Sequence, residues 1–279
     1  QTARETGDLL AQMTDVPFQV DFQFDGPTVD VNLRAKDQKI VGFGGAFTEA
    51  SAVVFKKLRP ALQQELLEKY FGPDGIGYTT GRVPINSCDF STGTYSFDDT
   101  EGDSELQQFD HGVKRDAKAT IPFIKAAQRA LAEHGRGLRL LASPWSPPAW
   151  MKTNGHMIRS DFPGLRPEYR KTWAKYISKW IAAYKAHGIP IWALTPQNEP
   201  EKSQRWESCI YSAQMGADFI GTHLGPTLSE DHPEVTIFAF DHDKQQAYLW
   251  ANATFSHPSA SRYAHGLAVH WYEGDGFDV

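Results

Sequence analysis

Cysteine is scarce in this sequence: Cys88 and Cys209 are the only two among 279 residues. Two thiols cannot form the disulfide framework that stabilises small secreted domains, and neither lies in a Cys-x-x-Cys pair or a Cys/His cluster. We therefore expect two free, buried thiols and neither a zinc site nor another metal site.

Long apolar runs and basic runs are missing as well. No stretch approaches the ~18 unbroken apolar residues of a transmembrane helix, and no cluster of Lys or Arg stands out in a chain of net charge −6. We therefore expect no membrane-spanning segment and no nucleic-acid partner. The sequence starts at Gln1 without a charged or apolar leader, so we expect that a signal peptide has already been removed.

Aromatic residues, by contrast, are plentiful, with 8 Trp, 10 Tyr and 17 Phe. Sugars present flat C–H faces that pack on aromatic rings, so this richness suits a carbohydrate-binding cleft. A large hydrophobic core is the other interpretation and accounts for most of the rings.

Residues 1–40 follow a pattern of their own. Apolar and polar residues alternate over 18–24 and again over 29–33, on either side of the turn sequence Asp-Gly-Pro at 25–27. Alternation with a period of two is typical of half-buried strands. We expect a small antiparallel piece outside the main domain, which then occupies residues 41–279.

From residue 41 onward, strand patterns alternate with helical ones. The strand candidates end at 42–45, 82–86, 140–143, 192–195, 235–240 and 267–270. Helices are predicted over 60–72, 120–134 and 167–187, the last with the apolar stripe Tyr169, Trp173, Ile177, Trp180 and Tyr184. This order implies parallel strands joined by helical crossovers.

Two α/β architectures fit this order: an open doubly wound sheet and a (β/α)8 TIM barrel. No Gly-x-Gly-x-x-Gly opens a helix after a strand, which weakens the case for a dinucleotide-binding sheet. Polar and aromatic residues follow nearly every strand candidate, which is where a barrel builds its active site. A closed barrel needs eight β/α units and we count six, so the sequence predicts the first three-quarters of a barrel.

The sharpest feature follows the fourth strand candidate, in the run Thr-Pro-Gln-Asn-Glu-Pro at 195–200. At this strand end, the side chain of Glu199 would point toward the mouth of the barrel. An aromatic-lined cleft there raises the pKa of a carboxyl group, which can then donate a proton at neutral pH. Asn198 beside it can hydrogen-bond a substrate hydroxyl. A helix-capping or salt-bridged glutamate is the alternative interpretation.

Two further loops carry candidate binding residues. Trp145 and its supporting neighbour Trp150 lie on a proline-rich loop after the third strand, and a stiff aromatic wall suits a sugar ring because little ordering entropy is lost. A packed loop that covers the barrel is the alternative. After the second strand, Arg82 and Asp89 flank Cys88; an arginine keeps a nearby carboxylate ionised, and an aspartate can bind sugar hydroxyls.

The last two strand candidates also end in polar residues. His270 precedes Trp271 and Tyr272 and could be a base, a ligand or a core residue, of which a core or supporting role is favoured. The triplet Asp-His-Asp at 241–243 does not predict a metal site, because adjacent residues of a strand cannot all face one ion. We expect this triplet to cap the strand end.

Several motifs then coincide in order along the chain. They are GFGGAFTE at 42–49, RVP at 82–84, SCDFS at 87–91, LLASPWSPPAWMKTNG at 140–155, NEP at 198–200 and AVHWY at 268–272. Together they closely resemble glycoside hydrolase family 30, which includes the glucosylceramidases. A lone Asn-Glu-Pro marks a wider clan of barrels, whereas the whole ordered set is much more specific.

This resemblance implies a (β/α)8 barrel with a side β-domain, to which residues 1–40 would contribute N-terminal strands. It also implies hydrolysis of β-glycosides with retention and without a cofactor, with Glu199 as the acid/base. The remaining matches are Asn198 at the sugar 2-hydroxyl, Asp89 and Trp145 at other sugar hydroxyls, His270 and Tyr272 as pocket lining, and Arg82 as the residue that orients the nucleophile.

One part of the family's pattern has no match. The family's nucleophile is a glutamate at the end of the seventh strand, whereas this sequence ends at Val279, shortly after the sixth strand candidate. Glu273 follows Tyr272 too closely and lies on the wrong strand. A retaining enzyme needs two carboxyl groups ~5–5.5 Å apart. We expect the rest of the barrel to be a separate chain, or to have been removed or left out; an inactive sugar-binding fragment is the alternative.

The resemblance implies a β-glucoside or glycolipid substrate, with cleavage of glucosylceramide to glucose and ceramide as the leading expectation. A β-1,6-glucanase or a β-xylosidase of the same family is the alternative. The same resemblance implies a secreted or periplasmic protein, or a lysosome-like location in a eukaryote.

Overall fold

The computed structural model describes residues 5–7, 11, 13–15, 17–18 and 26–273, and the chain divides into two units, Gln1–Ile40 and Val41–Val279. In the first unit, nearly all of the strand predicted at 18–24 lies outside the described residues. Residues 29–33 form no strand, and their side chains are exposed. A strand needs a neighbour for its backbone hydrogen bonds, and no described segment pairs with 26–40. Assignment of 1–40 to a side β-domain stays a prediction.

The second unit is built on a sheet of six parallel strands in the order β1-β2-β3-β4-β5-β6. The strands span Gly44–Ala46, Thr80–Ile85, Arg139–Pro144, Ala193–Leu194, Thr236–Asp243 and Ala264–His270. Each pairs in parallel with the next strand along the chain. Sequential parallel strands joined by helices are the arrangement of consecutive units of a TIM barrel, which confirms the predicted partial barrel.

The helices follow the strands in the expected alternation. Within residues 26–273 the α-helices are α1 (Glu49–Lys57), α2 (Pro60–Phe71), α3 (Thr120–Ala132), α4 (Arg170–Ala186), α5 (Ala213–Phe219), α6 (Gly225–Asp231) and α7 (Ala247–Phe255). A π-helical turn, Ile220–Leu224, joins α5 to α6. No helix within the described ranges combines the length and the apolar character needed to cross a bilayer.

Helix α4 confirms the apolar stripe predicted for 167–187. A 3-10 turn at Pro167–Tyr169 leads into the helix, since proline is well suited to the first helical turn. Gly188 follows the helix with φ of 75°, the left-handed conformation that ends many helices. Four members of the stripe are fully buried: Trp173, Ile177, Trp180 and Tyr184.

Alternation along the strands separates the helix-facing core from the barrel interior. On β2, Val83 and Ile85 are fully buried in the core. Arg82 points to the other face, where its Nε donates to Ser143 Oγ of β3 at 3.1 Å. The side chains that alternate with the core residues are therefore the ones that the sheet delivers to its interior.

Strand β5 departs from this regular alternation near its end. Its register with β6 shifts between Phe240 and His242, and Phe240 and Asp241 have φ of 77° and 82°. Such bulges re-aim side chains and are frequent beside active sites. Here the bulge delivers Asp241 to the barrel interior, where it contacts Arg82 of β2 and Thr195, the residue that follows β4.

Candidate active site

Polar side chains from five consecutive strands meet at the carboxyl end of the sheet. They are Arg82 of β2, Ser143 of β3, Thr195, Asn198 and Glu199 at the end of β4, Asp241 of β5 and His270 of β6. Direct hydrogen bonds connect all of them except the Glu199 side chain, which joins the network through an ion-pair contact with His270. The carboxyl end of the strands is where TIM barrels carry their active sites. The fold brings together four predicted site residues from three distant parts of the sequence: Arg82, the neighbours Asn198 and Glu199, and His270.

Glu199 lies on the turn after β4 and is held through both its backbone and its side chain. Its φ of 46° is uncommon for a residue other than glycine. Its backbone N–H donates to the carbonyl oxygen of Asp241 at 3.0 Å. Its Oε1 lies 3.4 Å from His270 Nδ1, and its Oε2 accepts from Gln204 Nε2 at 3.2 Å.

The ionisation of Glu199 differs from the sequence prediction. The hydrogen bond with His270 lowers the pKa of Glu199, and the opposing effect of burial is smaller. The predicted rise of this pKa is therefore wrong for the structure, because an imidazolium contacts the carboxylate directly. The described residues hold Glu199 as a carboxylate, which is the form of a general base.

His270 bridges two carboxylates. Its Nδ1 faces Glu199, and its Nε2 lies 3.0 Å from Asp241 Oδ1. Burial alone would disfavour the charged ring, but the hydrogen bonds to Asp241 and Glu199 outweigh it and raise the pKa of His270 to about 9. Because each ring nitrogen meets an acceptor, the doubly protonated imidazolium fits this position.

Asp241 is the residue that sequence reasoning missed. It is only 3% exposed, and its Oδ2 accepts from Arg82 Nη2 at 2.7 Å and from Thr195 Oγ1 at 2.6 Å. Burial opposes ionisation, but the Arg82 guanidinium and the His270 ring hold the pKa of Asp241 well below its usual range. The expectation that the 241–243 triplet caps the strand end is therefore wrong for Asp241, because the bulge turns it inward.

Arg82 connects this network to the predicted sugar-binding residues. Its Nη2 also donates to Asn198 Oδ1 at 2.7 Å, and its guanidinium lies 4.5 Å from the centroid of the Trp145 ring. Because the amide oxygen of Asn198 is occupied, the amide N–H groups remain available as donors to a ligand. Arg82 thus fixes both the indole and the amide.

Asp89 and Tyr272 lie at the outer side of the same network. Asp89 is exposed, and its pKa is raised by partial burial and by the charges of Glu199 and Glu207, while a hydrogen bond with the Trp145 side chain opposes the rise. Tyr272 is 44% exposed, with its ring centroid 6.0 Å from that of His270. Both positions are open to a ligand.

Trp150 takes the alternative role for the 143–152 loop. It is 7% exposed, its indole N–H donates to the carbonyl oxygen of Asp98 at 2.9 Å, and its ring packs edge-on against Tyr169. It is therefore a core residue beneath the loop, and its role as a supporting neighbour of Trp145 stays a prediction. Its packing supports the loop that carries Trp145.

A buried lysine side chain forms hydrogen bonds with both the loop after β3 and the loop after β4. Lys152 is fully buried, and its Nζ donates to the carbonyl oxygens of Met157, Arg159 and Ser208. Burial lowers the pKa of Lys152 to about 8. The ammonium satisfies all three of its donors and fixes the second loop, from which Gln204 reaches Glu199.

Both cysteines are buried free thiols, as predicted. Burial raises the pKa of Cys88 to about 11 and that of Cys209 to about 12, so neither is an activated nucleophile. The described part of the chain contains no group of three His, Cys, Asp or Glu side chains that could hold a metal ion.

Comparison with known proteins identifies the family. The profile of the Glycosyl hydrolase family 30 TIM-barrel domain matches residues 40–278. The chain belongs to glycoside hydrolase family 30. Members of this family are glycoside hydrolases, which agrees with the resemblance carried by the motifs.

Relatives and solved structures agree with this membership. The chain is 37% identical to the lysosomal acid glucosylceramidase of Mus musculus, covering 88% of the chain and 48% of that protein. It is 34% identical to an endo-1,6-β-D-glucanase of Neurospora crassa, covering 88% and 50%. The crystal structure of SrfJ from Salmonella typhimurium superimposes with a TM-score of 0.79 at 40% identity, covering 86% of the chain and 53% of SrfJ. The chain thus spans about half the length of the relatives that it matches.

Proposed function

We propose that this chain supplies the acid/base side of a retaining β-glycosidase, with Glu199 as the acid/base. The observation that carries the proposal is the position of Glu199 at the end of β4, held by His270 and Gln204. Arg82 contacts both Asn198 and Trp145 and connects these two side chains to the network around Glu199. Retaining glycoside hydrolysis requires two carboxyl groups, and a fixed carboxylate among hydrogen-bond donors and an aromatic ring suits the acid/base member of that pair.

The proposed reaction has two steps. In the first, Glu199 protonates the glycosidic oxygen, the bond between that oxygen and the anomeric carbon breaks, and a second carboxylate forms an ester with the anomeric carbon. In the second, water attacks the anomeric carbon, Glu199 takes a proton from that water, and the second carboxylate leaves. We propose that residues outside this sequence supply the second carboxylate.

The lowered pKa of Glu199 is consistent with a second carboxylate that residues outside this sequence supply. With His270 in direct contact, Glu199 stays ionised, which suits the second step. A second carboxylate ~5–5.5 Å away would raise the pKa of Glu199, because like charges disfavour ionisation. The first step, which needs a protonated Glu199, therefore depends on a nucleophile that is present and charged.

The proposed substrate is a β-glucoside of the glucosylceramide type, cleaved to glucose and ceramide. The identity with the mouse glucosylceramidase supports this choice. Hydrolysis of a β-1,6-glucan is the second candidate, which the Neurospora relative supports. We also propose a secreted, periplasmic or lysosome-like location, for which the support is the mouse relative's name.

The experiment that tests the catalytic assignment is Glu199→Gln in the natural protein that carries this sequence. For glucosides with poor leaving groups we expect kcat to fall by about 10²–10⁴-fold, the usual contribution of general acid/base catalysis. Aryl glucosides with good leaving groups need no proton in the first step, so a fast initial release of the aryl group should remain. Stopped-flow absorbance measures that burst.

Glu201→Gln is the matched control, because Glu201 lies two residues away and accepts from Trp250 Nε1 at 2.8 Å rather than joining the network. It should keep near-normal turnover. Unchanged turnover in Glu199→Gln would refute the assignment.

Parallel assays on glucosylceramide in detergent micelles and on a linear β-1,6-glucan distinguish the two candidate substrates. An assay of the 1–279 chain alone tests whether it is a sugar-binding fragment without turnover.

A further inference from the structure

We propose that Asp241 is a positioning residue for this site: its two carboxylate oxygens hold Arg82 on one side and His270 on the other. Through Arg82 it orients Asn198, and through His270 it sets the protonation of Glu199. The inference rests on the proposed function of the site, but the contacts that carry it lie within residues 82–270.

The first arm runs from Asp241 to the sugar-binding residues. Arg82 Nη2 lies 2.7 Å from Asp241 Oδ2 and 2.7 Å from Asn198 Oδ1. An arginine fork is rigid, so the carboxylate that holds one nitrogen fixes the direction of the whole group. Thr195 donates to the same Oδ2 at 2.6 Å, which fixes the carboxylate in turn.

The second arm runs from Asp241 to the acid/base. Asp241 Oδ1 lies 3.0 Å from His270 Nε2, and the opposite ring nitrogen lies 3.4 Å from Glu199 Oε1. A buried carboxylate on one ring nitrogen favours the proton there and stabilises the imidazolium. The charged ring then favours the ionised form of Glu199.

Among the groups that the structure describes around His270, Asp241 and Glu199 are the two anions. The titratable and charged groups around His270 come from β2, the turn after β4, β5 and the segment after β6. They are Arg82, Glu199, Asp241, His242 and Tyr272. Asp241 and Glu199 favour the imidazolium, whereas Arg82 opposes it. Without Asp241 the positive charge of Arg82 would lie near the ring with only Glu199 to offset it.

The test follows the titration of His270 in the 1–279 chain by ¹H–¹³C NMR of the histidine ring carbons. The chain has 10 histidines, and His270→Gln assigns the resonance. In the wild type, His270 should titrate at about 9. In Asp241→Asn it should titrate below ~7, near or under the ordinary value for histidine, and the side-chain carboxyl carbon of Glu199 should titrate at higher pH than in the wild type.

Asp243→Asn is the matched control. Asp243 is a second buried aspartate at the end of β5, but its carboxylate pairs with Lys202. This variant should leave His270 titrating near the wild-type pH. Equal shifts in the two variants, or an unchanged His270 midpoint in folded Asp241→Asn, would overturn the proposal.

A second variant keeps the proposal testable if Asp241→Asn does not fold. His270→Gln retains the pair between Asp241 and Arg82, and it should raise the pKa of Glu199, read from the same carboxyl resonance. An unchanged Glu199 titration would overturn the second arm. Since none of these readouts requires turnover, a failure here is distinguishable from a failure of Glu199→Gln in the kinetic assay.

Discussion

Two buried carboxylates in this chain have opposite surroundings. Asp241 lies at the carboxyl end of the sheet against Arg82 and His270. Asp116 lies in a 3-10 turn before α3, where its two oxygens accept from Tyr95 Oη at 2.8 Å and Tyr184 Oη at 2.6 Å. They are 3% and 2% exposed, so differences in their ionisation come from their partners rather than from depth.

The partners decide the charge state. Cations around Asp241 outweigh its burial and hold its pKa well below the usual range. Burial raises the pKa of Asp116 to about 6, because the two tyrosine hydroxyls that lower it are neutral donors. A buried carboxylate with cationic partners stays ionised at neutral pH, whereas one with neutral partners gains or loses a proton near neutral pH.

The largest expected effect is on stability when the cation beside Asp241 is removed. Among the residues that the structure describes, Arg82→Met leaves the buried carboxylate with His270 as its one remaining cationic contact. We expect the free energy of unfolding to fall by about 3 kcal/mol at pH 7. Urea unfolding followed by tryptophan fluorescence measures it. Lys185→Met is the control, because the pair of Lys185 and Glu234 is exposed and should contribute less than ~1 kcal/mol. Similar losses in both variants would contradict the comparison.

The next effect in size is the pH dependence contributed by Asp116. Its folded pKa of about 6 lies above the ordinary value for aspartate, so the folded state binds more protons and this stabilisation is lost as pH rises through 6. Between pH 4.5 and 7.5 the wild type should therefore lose about 2 kcal/mol of unfolding free energy relative to Asp116→Asn. Urea unfolding of both proteins at these two pH values measures the difference, and a pH-independent difference would contradict the assignment.

Part of the site around Asp241 follows from sequence, because strand ends are readable from it. Arg82, Asn198, Glu199 and His270 each lie within or directly after a predicted strand segment, and parallel strands place their carboxyl ends together. The stripe on α4 predicted its buried face, because helix periodicity is a local property.

The role of Asp241 and the ionisation of Glu199 were not predictable in the same way. A β-bulge adds one residue to a strand and inverts the alternation beyond it, and nothing in the run Phe-Asp-His-Asp at 240–243 marks that position. The pKa of Glu199 depends on a ring 71 positions later in the chain, which reaches it only in the folded sheet. The hydrogen bond between Trp150 and Asp98 could not be predicted for a similar reason, since Asp98 lies on a different loop.

The smallest expected effect comes from removing one hydroxyl donor to Asp116 or one to Asp241. Tyr184→Phe removes a donor to Asp116, and Thr195→Val removes one to Asp241. At pH 7.5 both carboxylates are ionised, so each loss should cost about 2 kcal/mol, the usual size for a hydrogen bond to a charged group. At pH 4.5 Asp116 is mostly protonated, so the cost of Tyr184→Phe should fall to about 1 kcal/mol.

The cost of Thr195→Val should stay constant over the same range, because Asp241 remains ionised. Urea unfolding of the two variants at both pH values therefore separates a fixed charge from a titrating one by a change of about 1 kcal/mol in one cluster alone. A parallel change in both would mean that Asp241 also takes up a proton in this range, and that Arg82 and His270 do not hold its charge.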